Sequence, residues 1–491
     1  MNSLFSTAWR RLVFSGAVML FAFLVMFGLS MSGAADSNSG LSIGDWMKRL
    51  FFLPGLAAAA AFLLSTALVL PASAKAAPAA VDVPSSSSQI KPLVAQVVGL
   101  AWLNPLQRRD YPTEWQLLWA MGLVRPNEHD DMVKIKPEKY SKLQSIGALA
   151  YSNQGRETFD GYFGQYIDTL LPLFSKRYFM GEKYFYTVKP DNKGDWRELA
   201  GIRVELAASS RLASKGVESY LSGRMRFFFE TGNPSARDLW SRNVPPDVQV
   251  MHGGANAGFT SLNRALDYLQ ANPDKSVWVM NWDAPNYPPK DGQINENLAL
   301  LILVGPDFKT EREPLAWIGR AASSNAKDFE AKVGTTRAVQ AWKASISQAA
   351  QNAGVPATSI SFIVHDAGRG SDASSTRIGS LSHALTETVP EYDFNKQTFN
   401  TSALLGDMGA GSALTDVALA IARANHLGGN VLVAGATDAN HPTAVVVVPP
   451  SKLTPINADK DWFRARGESN AYLPWWGRRH DAKSAMQGYS E

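Results

Sequence analysis

No cysteine occurs anywhere in the 491 residues. Disulfide bridges, thiolate metal sites and a cysteine nucleophile are therefore excluded, whatever compartment the protein occupies. A surplus of one charge is missing too. Lys and Arg total 48 against 44 Asp and Glu, and the resulting +4 over this length is too dilute for a nucleic-acid footprint. No DNA or RNA partner is expected. Neither a G-x-x-x-x-G-K-[ST] phosphate loop nor an H-E-x-x-H zinc helix is present. The acidic cluster Glu128-His129-Asp130-Asp131 and the pair His365-Asp366 lack the spacing of a metal set, so neither metal nor cofactor is expected. What is abundant is apolar surface: 45% hydrophobic residues, with 14 Trp and 14 Tyr, enough for a folded body of more than one domain.

The N-terminus differs in kind from the rest. Uncharged runs extend from Leu12 to Ala35 and from Leu50 to Ala74. About 20 apolar residues suffice to span a bilayer as a helix, so residues 12–32 and 51–71 are expected to form a transmembrane hairpin within an anchor of residues 1–75. A cleaved signal peptide is the alternative, with Arg10 and Arg11 as its charged region and Ser32-Gly33-Ala34 or Ala72-Ser73-Ala74 at its end. Arg10 and Arg11 favour a cytoplasmic N-terminus, and two crossings return the C-terminal body to the cytoplasm; Lys48 and Arg49 in the connecting loop oppose this. Residues 76–93, rich in Ala, Pro and Ser, read as a linker.

The soluble body opens on a β-branched run from Val94 to Leu100, and Thr113 with Gln116 has the spacing of a capping box ahead of a helix. Arg108, Arg109 and Asp110 between them read as a solvated turn, and the aromatic stretches Tyr178-Phe179 and Tyr184-Phe185-Tyr186 read as core. A pattern then repeats. Val248–Met251 reads as a strand, followed by a glycine-rich turn from His252 to Gly258. Phe259, Leu262, Ala265, Leu266 and Leu269 share one helical face beyond it, and strands follow at Ser276–Met280 and Leu298–Val304. Roughly 150 residues later the order recurs: a turn at Gly406–Gly411, a helix from Ser412 to Asn425, and strands at Val431–Val433 and Ala444–Val448. Continuous apolar strands of this kind suit a sheet buried on both faces.

These duplicated halves resemble the thiolase and ketoacyl synthase family, whose fold is a five-layered α/β duplication. The stretch Gly254-Ala255-Asn256-Ala257-Gly258-Phe259-Thr260 is similar to that family's nucleophile turn, with Asn256 where the resemblance implies cysteine. Ile360–Asp366 is similar to the strand ending at the first basic catalytic residue, which points to His365, and Gly406–Gly411 resembles a later loop in which Asp407 replaces histidine or asparagine. A carboxamide offers no nucleophile for an acyl thioester, and a carboxylate repels enolate-like charge. The three positions are thus expected to be vestigial, and the chain to be a pseudoenzyme. The resemblance implies halves at residues 94–310 and 311–450, with an extension at 451–491.

The run from Val97 to Trp115 also resembles the opening of the bacterial type VI secretion lipase-adaptor family, formerly a domain of unknown function. That resemblance implies an adaptor, anchored in the inner membrane with a cytoplasmic body, that binds a lipase or phospholipase effector and helps load it onto the secretion spike protein. Near the C-terminus, Trp475, Trp476 and Arg478 have the composition of a protein interface and are the candidate partner-binding residues. A divergent acyl-transferring or acyl-hydrolysing enzyme of the same fold, using His365 and Asp407 as acid and base, is an alternative. So is a periplasmic binding protein released by signal cleavage.

Overall fold

Apolar runs of strand length, rich in Val, Ile and Leu, set up the sheet. The computed structural model describes residues 93–103, 158–180, 199, 201–229, 244–285, 296–309, 313–389, 392–453 and 455, and within them lies one 11-stranded sheet. The chain divides into compact units Met1–Ser88 and Gln89–Glu491, and every described residue belongs to the second. The expected membrane segments at 12–32 and 51–71 lie outside the described residues. So do Arg108–Asp110, the helix at Thr113, Glu128–Asp131, Tyr184–Tyr186, Trp475, Trp476, Arg478 and the side chains of Tyr178 and Phe179. Among the described residues no helix is long and apolar enough to cross a membrane.

The first half runs β1 (Ala95–Leu103), α1 (Phe159–Met180), β2 (Arg203–Ala208), α2 (Ser214–Phe228), β3 (Asp247–His252), α3 (Ala257–Ala271), β4 (Ser276–Asp283) and β5 (Asn297–Val304). The second runs β6 (Ala316–Ile318), a short β7 (Ala322–Ser323), α4 (Arg337–Asn352), β8 (Ile360–His365), α5 (Asp372–Thr388) and β9 (Thr398–Asn400). It continues with α6 (Thr401–Leu405), α7 (Ser412–Leu427), β10 (Asn430–Gly435) and β11 (Thr443–Val448). The strand order β3-β2-β4-β5-β1-β6-β11-β10-β8-β9 is a palindrome of the two halves, with β7 on β11 outside it. Directions match as well. In each half the outer three strands are parallel and the next two pairings antiparallel, and the halves meet through the antiparallel β1–β6 pair. The duplication expected from the recurring turn, helix and strands is present in the backbone itself.

Alternation along the strands sorts the side chains into three cores. Val277, Val279, Leu301 and Leu303 of the first half and Phe362, Val364, Val431, Val433, Val445 and Val447 of the second all face α3 and α7. The intervening residues Trp278, Met280, Trp282, Leu300 and Ile302 face outward onto α1 and α2. Ile363, Leu432 and Val446 face α4 and α5. The sheet therefore wraps a central helical layer and carries helices on both outer faces, five layers in all. At the centre, a Cβ on Gly258 of α3 would lie 2.9 Å from that of Ala413 in α7, so only glycine lets the two helices approach this closely.

In the second half the outer helices carry side-chain caps, which outer helix α2 of the first half, with Ala213 at its N-cap, does not. Outer helix α4 is capped by Thr336, whose Oγ1 accepts from the Val339 N–H at 3.2 Å, and α5 begins with a reciprocal Ser371–Ser374 capping box. Central helices α3 and α7 have no side-chain cap. Their N-cap residues, Asn256 and Gly411, face the opposite half instead.

Candidate functional site

Asn256 leaves β3's turn at the start of α3 with its side chain directed away from its own helix. Its Nδ2 donates to the His441 carbonyl and to Thr443 Oγ1, both at 3.1 Å, and Thr443 opens β11 in the second half. Asn256 Oδ1 is buried without a hydrogen-bond partner, against Gly435, the last residue of β10. A side chain on Gly435 would collide with Asn256 and with Phe259. The carboxamide thus acts as a clasp between halves.

The pseudo-equivalent junction involves Gly411, the N-cap of α7, and Asn297, which opens β5 as Thr443 opens β11. Asn297 Nδ2 donates to the Gly411 carbonyl at 2.9 Å and to the Thr415 hydroxyl, while its Oδ1 accepts from the Trp102 indole at 2.6 Å. Asp283, the last residue of β4, accepts the Ala410 N–H at 3.0 Å and pairs with Arg211 at 2.5 Å. Burial nevertheless pushes the Asp283 carboxyl up. Both cross-half junctions join a central helix start to the ends of the two neighbouring strands of the other half.

His365 ends β8 almost wholly buried, its ring 5.7 Å from that of Phe394. Burial lowers its pKa from 6.5 to about 4, so it stays neutral near pH 7. Nδ1 accepts the Ala367 N–H at 3.3 Å, which assigns the proton to Nε2. The next residue, Asp366, accepts from the Ala436 N–H at 2.5 Å, the Thr437 N–H at 3.1 Å and the Thr437 hydroxyl at 2.8 Å. Asp416, fully buried in α7, lies near the Thr401 hydroxyl. Burial first, and then the charge of Asp366, push its carboxyl well above the ordinary range. The Thr401 hydroxyl in turn donates to the His365 carbonyl at 3.1 Å. Thr401 thus ties β8 to α6 and Asp366 ties it to the residues after β10, while both Asp416 oxygens are buried in α7 without a hydrogen-bond partner.

Asp407 is different again. It is exposed, and its Oδ1 accepts the Gly409 N–H at 2.8 Å in a local turn. No hydrogen bond or ion pair joins Asn256, His365 and Asp407 to one another among the described residues: each is held by partners of its own. No group of three His, Asp or Glu that could hold a metal occurs among the described residues.

A serine–histidine pair does occur at the end of β3. His252 Nε2 lies 2.7 Å from Ser214 Oγ, and Nδ1 lies 3.1 Å from the Ser209 carbonyl. In the second half the register places Asn400 where His252 stands in the first, one strand over from His365 as His252 is from Ala208. Asn400 holds the corresponding loop by two bonds to the Gly368 backbone. His252 accordingly clamps the loop after β2, with different chemistry at the same architectural point. Asn297, Thr443, Asp283 and Asp416 were not singled out from the sequence, and no spacing signal marks them, because their partners sit in distant segments.

Solved structures similar to the chain include an oxazolomycin ketosynthase domain from Streptomyces albus JA3453, 12% identical, covering 76% of this chain and 100% of that one, with TM-score 0.42. The ishigamide ketosynthase/chain length factor is 16% identical, covers 72% and 99%, and has TM-score 0.44. The 3-oxoacyl-(acyl carrier protein) synthase III of Pseudomonas aeruginosa PAO1 is 13% identical, covers 74% and 100%, and has TM-score 0.39. No curated protein matches the sequence. Residues 315–449, which take in every element from β6 to β11, match the family model described as Type VI lipase adapter protein Tla3, C-terminal.

Proposed function

We propose that the chain is a non-catalytic adaptor that binds a lipase-type toxic effector and helps load it onto the spike of the type VI secretion machine. The observation that carries this reading is the match of residues 315–449 to the C-terminal model of the type VI lipase adapter. The geometry of the three candidate positions supports it. Asn256 stands where a thiolase-like enzyme would need a thiolate, and its amide is committed to His441 and Thr443. His365 is buried and neutral, and Asp407 caps its own loop at the surface. The body is on this reading a degenerate thiolase-like scaffold that keeps its architecture and grips rather than converts.

Residues 12–32 and 51–71 tether the protein to the inner membrane, with the body on the cytoplasmic side, where effectors are loaded. Trp475, Trp476 and Arg478 contribute aromatic and guanidinium anchors to the partner interface. The test is co-purification of the full chain with the lipase and the spike protein of the same organism. Stable capture of the lipase, without turnover of acyl thioesters by the chain alone, is expected. Failure to retain either protein, or covalent acylation of the chain by an acyl thioester, would overturn the proposal.

A further inference from the structure

Among the described arginines, Arg423 alone buries guanidinium nitrogens without a hydrogen-bond partner. Arg203, Arg224, Arg264 and Arg320 are half-buried, and each meets a carboxylate. Arg423, in the last turns of α7, has Nε and Nη1 buried without a hydrogen-bond partner. Its guanidinium rests 4.8 Å from the centre of the Phe362 ring, and burial lowers its pKa with no acidic group to offset the loss of water. A cation–π contact returns part of that desolvation cost, and an uncompensated guanidinium is still expensive to keep.

The surface beside it is apolar. Leu427 lies one turn further along the same helix face and is 51% exposed. Leu453 packs near Gly428 and is 37% exposed. Two of the five exposed large hydrophobic residues among those described thus lie at the C-terminal end of the helix that carries Arg423, and Arg423 and Leu427 fall within the segment that matches the adapter model.

We propose that Arg423, flanked by Leu427 and Leu453, is a docking point for a carboxylate-bearing segment of the effector, with an apolar side chain beside that carboxylate covering the two leucines. Charge complementarity selects the occupant: the carboxylate meets the guanidinium at Nη2, the nitrogen that is not closed off with Nε and Nη1, while the leucines supply the apolar rim. This inference rests on the adaptor reading and adds the surface through which it works.

The experiment compares capture of the same organism's lipase by the full chain, by Arg423→Met and by Asp459→Asn/Asp461→Asn, with thermal melting of each. The double variant controls for the chain's own carboxylates just beyond Leu453. Arg423→Met is expected to weaken capture more than about tenfold. Its melting temperature should be equal or higher, because a desolvated charge has been removed. The double variant should bind as the unaltered chain does. Undiminished capture by Arg423→Met overturns the proposal while leaving the adaptor reading intact. Weakened capture together with a lowered melting temperature assigns Arg423 a packing role and also overturns it. If the double variant behaves like Arg423→Met, the occupant is the chain's own C-terminal segment, and the proposal fails. Absence of lipase capture by the unaltered chain removes the adaptor reading itself.

Discussion

The two cross-half junctions share a backbone plan and differ in chemistry. At one, Asn297 is wholly buried and joins Trp102, Gly411 and Thr415 in a satisfied polar cluster. At the other, Asn256 is half-buried, reaches two acceptors, and leaves its own oxygen unpaired against Gly435. In a duplicated fold the two helix starts are placed by the same strand order, so the backbone fixes where a side chain stands and leaves open what it does there. The halves teach that the position resembling a nucleophile turn is, in this chain, the looser of two structural clasps.

The comparison can be sharpened most by Asn297→Ala. It withdraws three hydrogen bonds from a dry site and is expected to cost about 3–4 kcal/mol in denaturant unfolding. A loss below that of Asn256→Ala would break the distinction between a sealed and a loose junction.

Next comes the acid response of the second half, where His365 occupies the register position held by Ala208 in the first. Its pKa is about 4 in the folded chain and 6.5 ordinarily. The unfolded chain therefore binds the extra proton between these values, and stability present above pH 6.5 is lost as pH falls toward 4. At 1.36 kcal/mol per pKa unit the loss approaches about 3 kcal/mol. The slope should flatten in His365→Asn, measured by urea unfolding across that window. The raised carboxyls of Asp366 and Asp416 act in the opposite sense, since the folded chain holds their protons as pH rises above the ordinary range.

Asn256→Ala ranks third. Losing the bonds to His441 and Thr443 should cost about 1–2 kcal/mol, with the unpaired Oδ1 removed in partial return. Asn256→Cys is expected to gain no acyl-enzyme chemistry, because His365 and Asp407 are engaged elsewhere; mass spectrometry after incubation with an acyl thioester reads the result. Smallest is Asp407→Asn, which keeps the acceptor for the Gly409 N–H and should shift stability by less than about 0.5 kcal/mol. A larger effect there would mean that the exposed carboxylate has a role beyond its turn.

Much of the second-half architecture was legible before any coordinates. The helix of residues 412–425 appears as Ser412–Leu427, and the strand at Val431–Val433 appears within Asn430–Gly435. The glycine-rich turn after β3 is shorter than its composition suggests. Ala257 and Gly258 belong to α3, since the close crossing with Ala413 needs a small residue inside the helix rather than before it. Asn256 and Asp407 were also visible as departures from a resemblance, and His365 as a match to it. Their actual partners were not, because hydrogen-bond geometry across the halves has no local signature.

The sequence by itself determined the order of strands and helices and which of their faces are apolar. Those properties follow from periodicity and from residue types a few positions apart. Only the tertiary structure decided that Asn256 meets His441, 185 positions away, that Asn297 seals the matching junction, and that Nε and Nη1 of Arg423 are buried without a partner. Burial and pairing belong to the packed arrangement of distant segments. The free energy of a polar group is set by that arrangement, by what surrounds it once water has been removed.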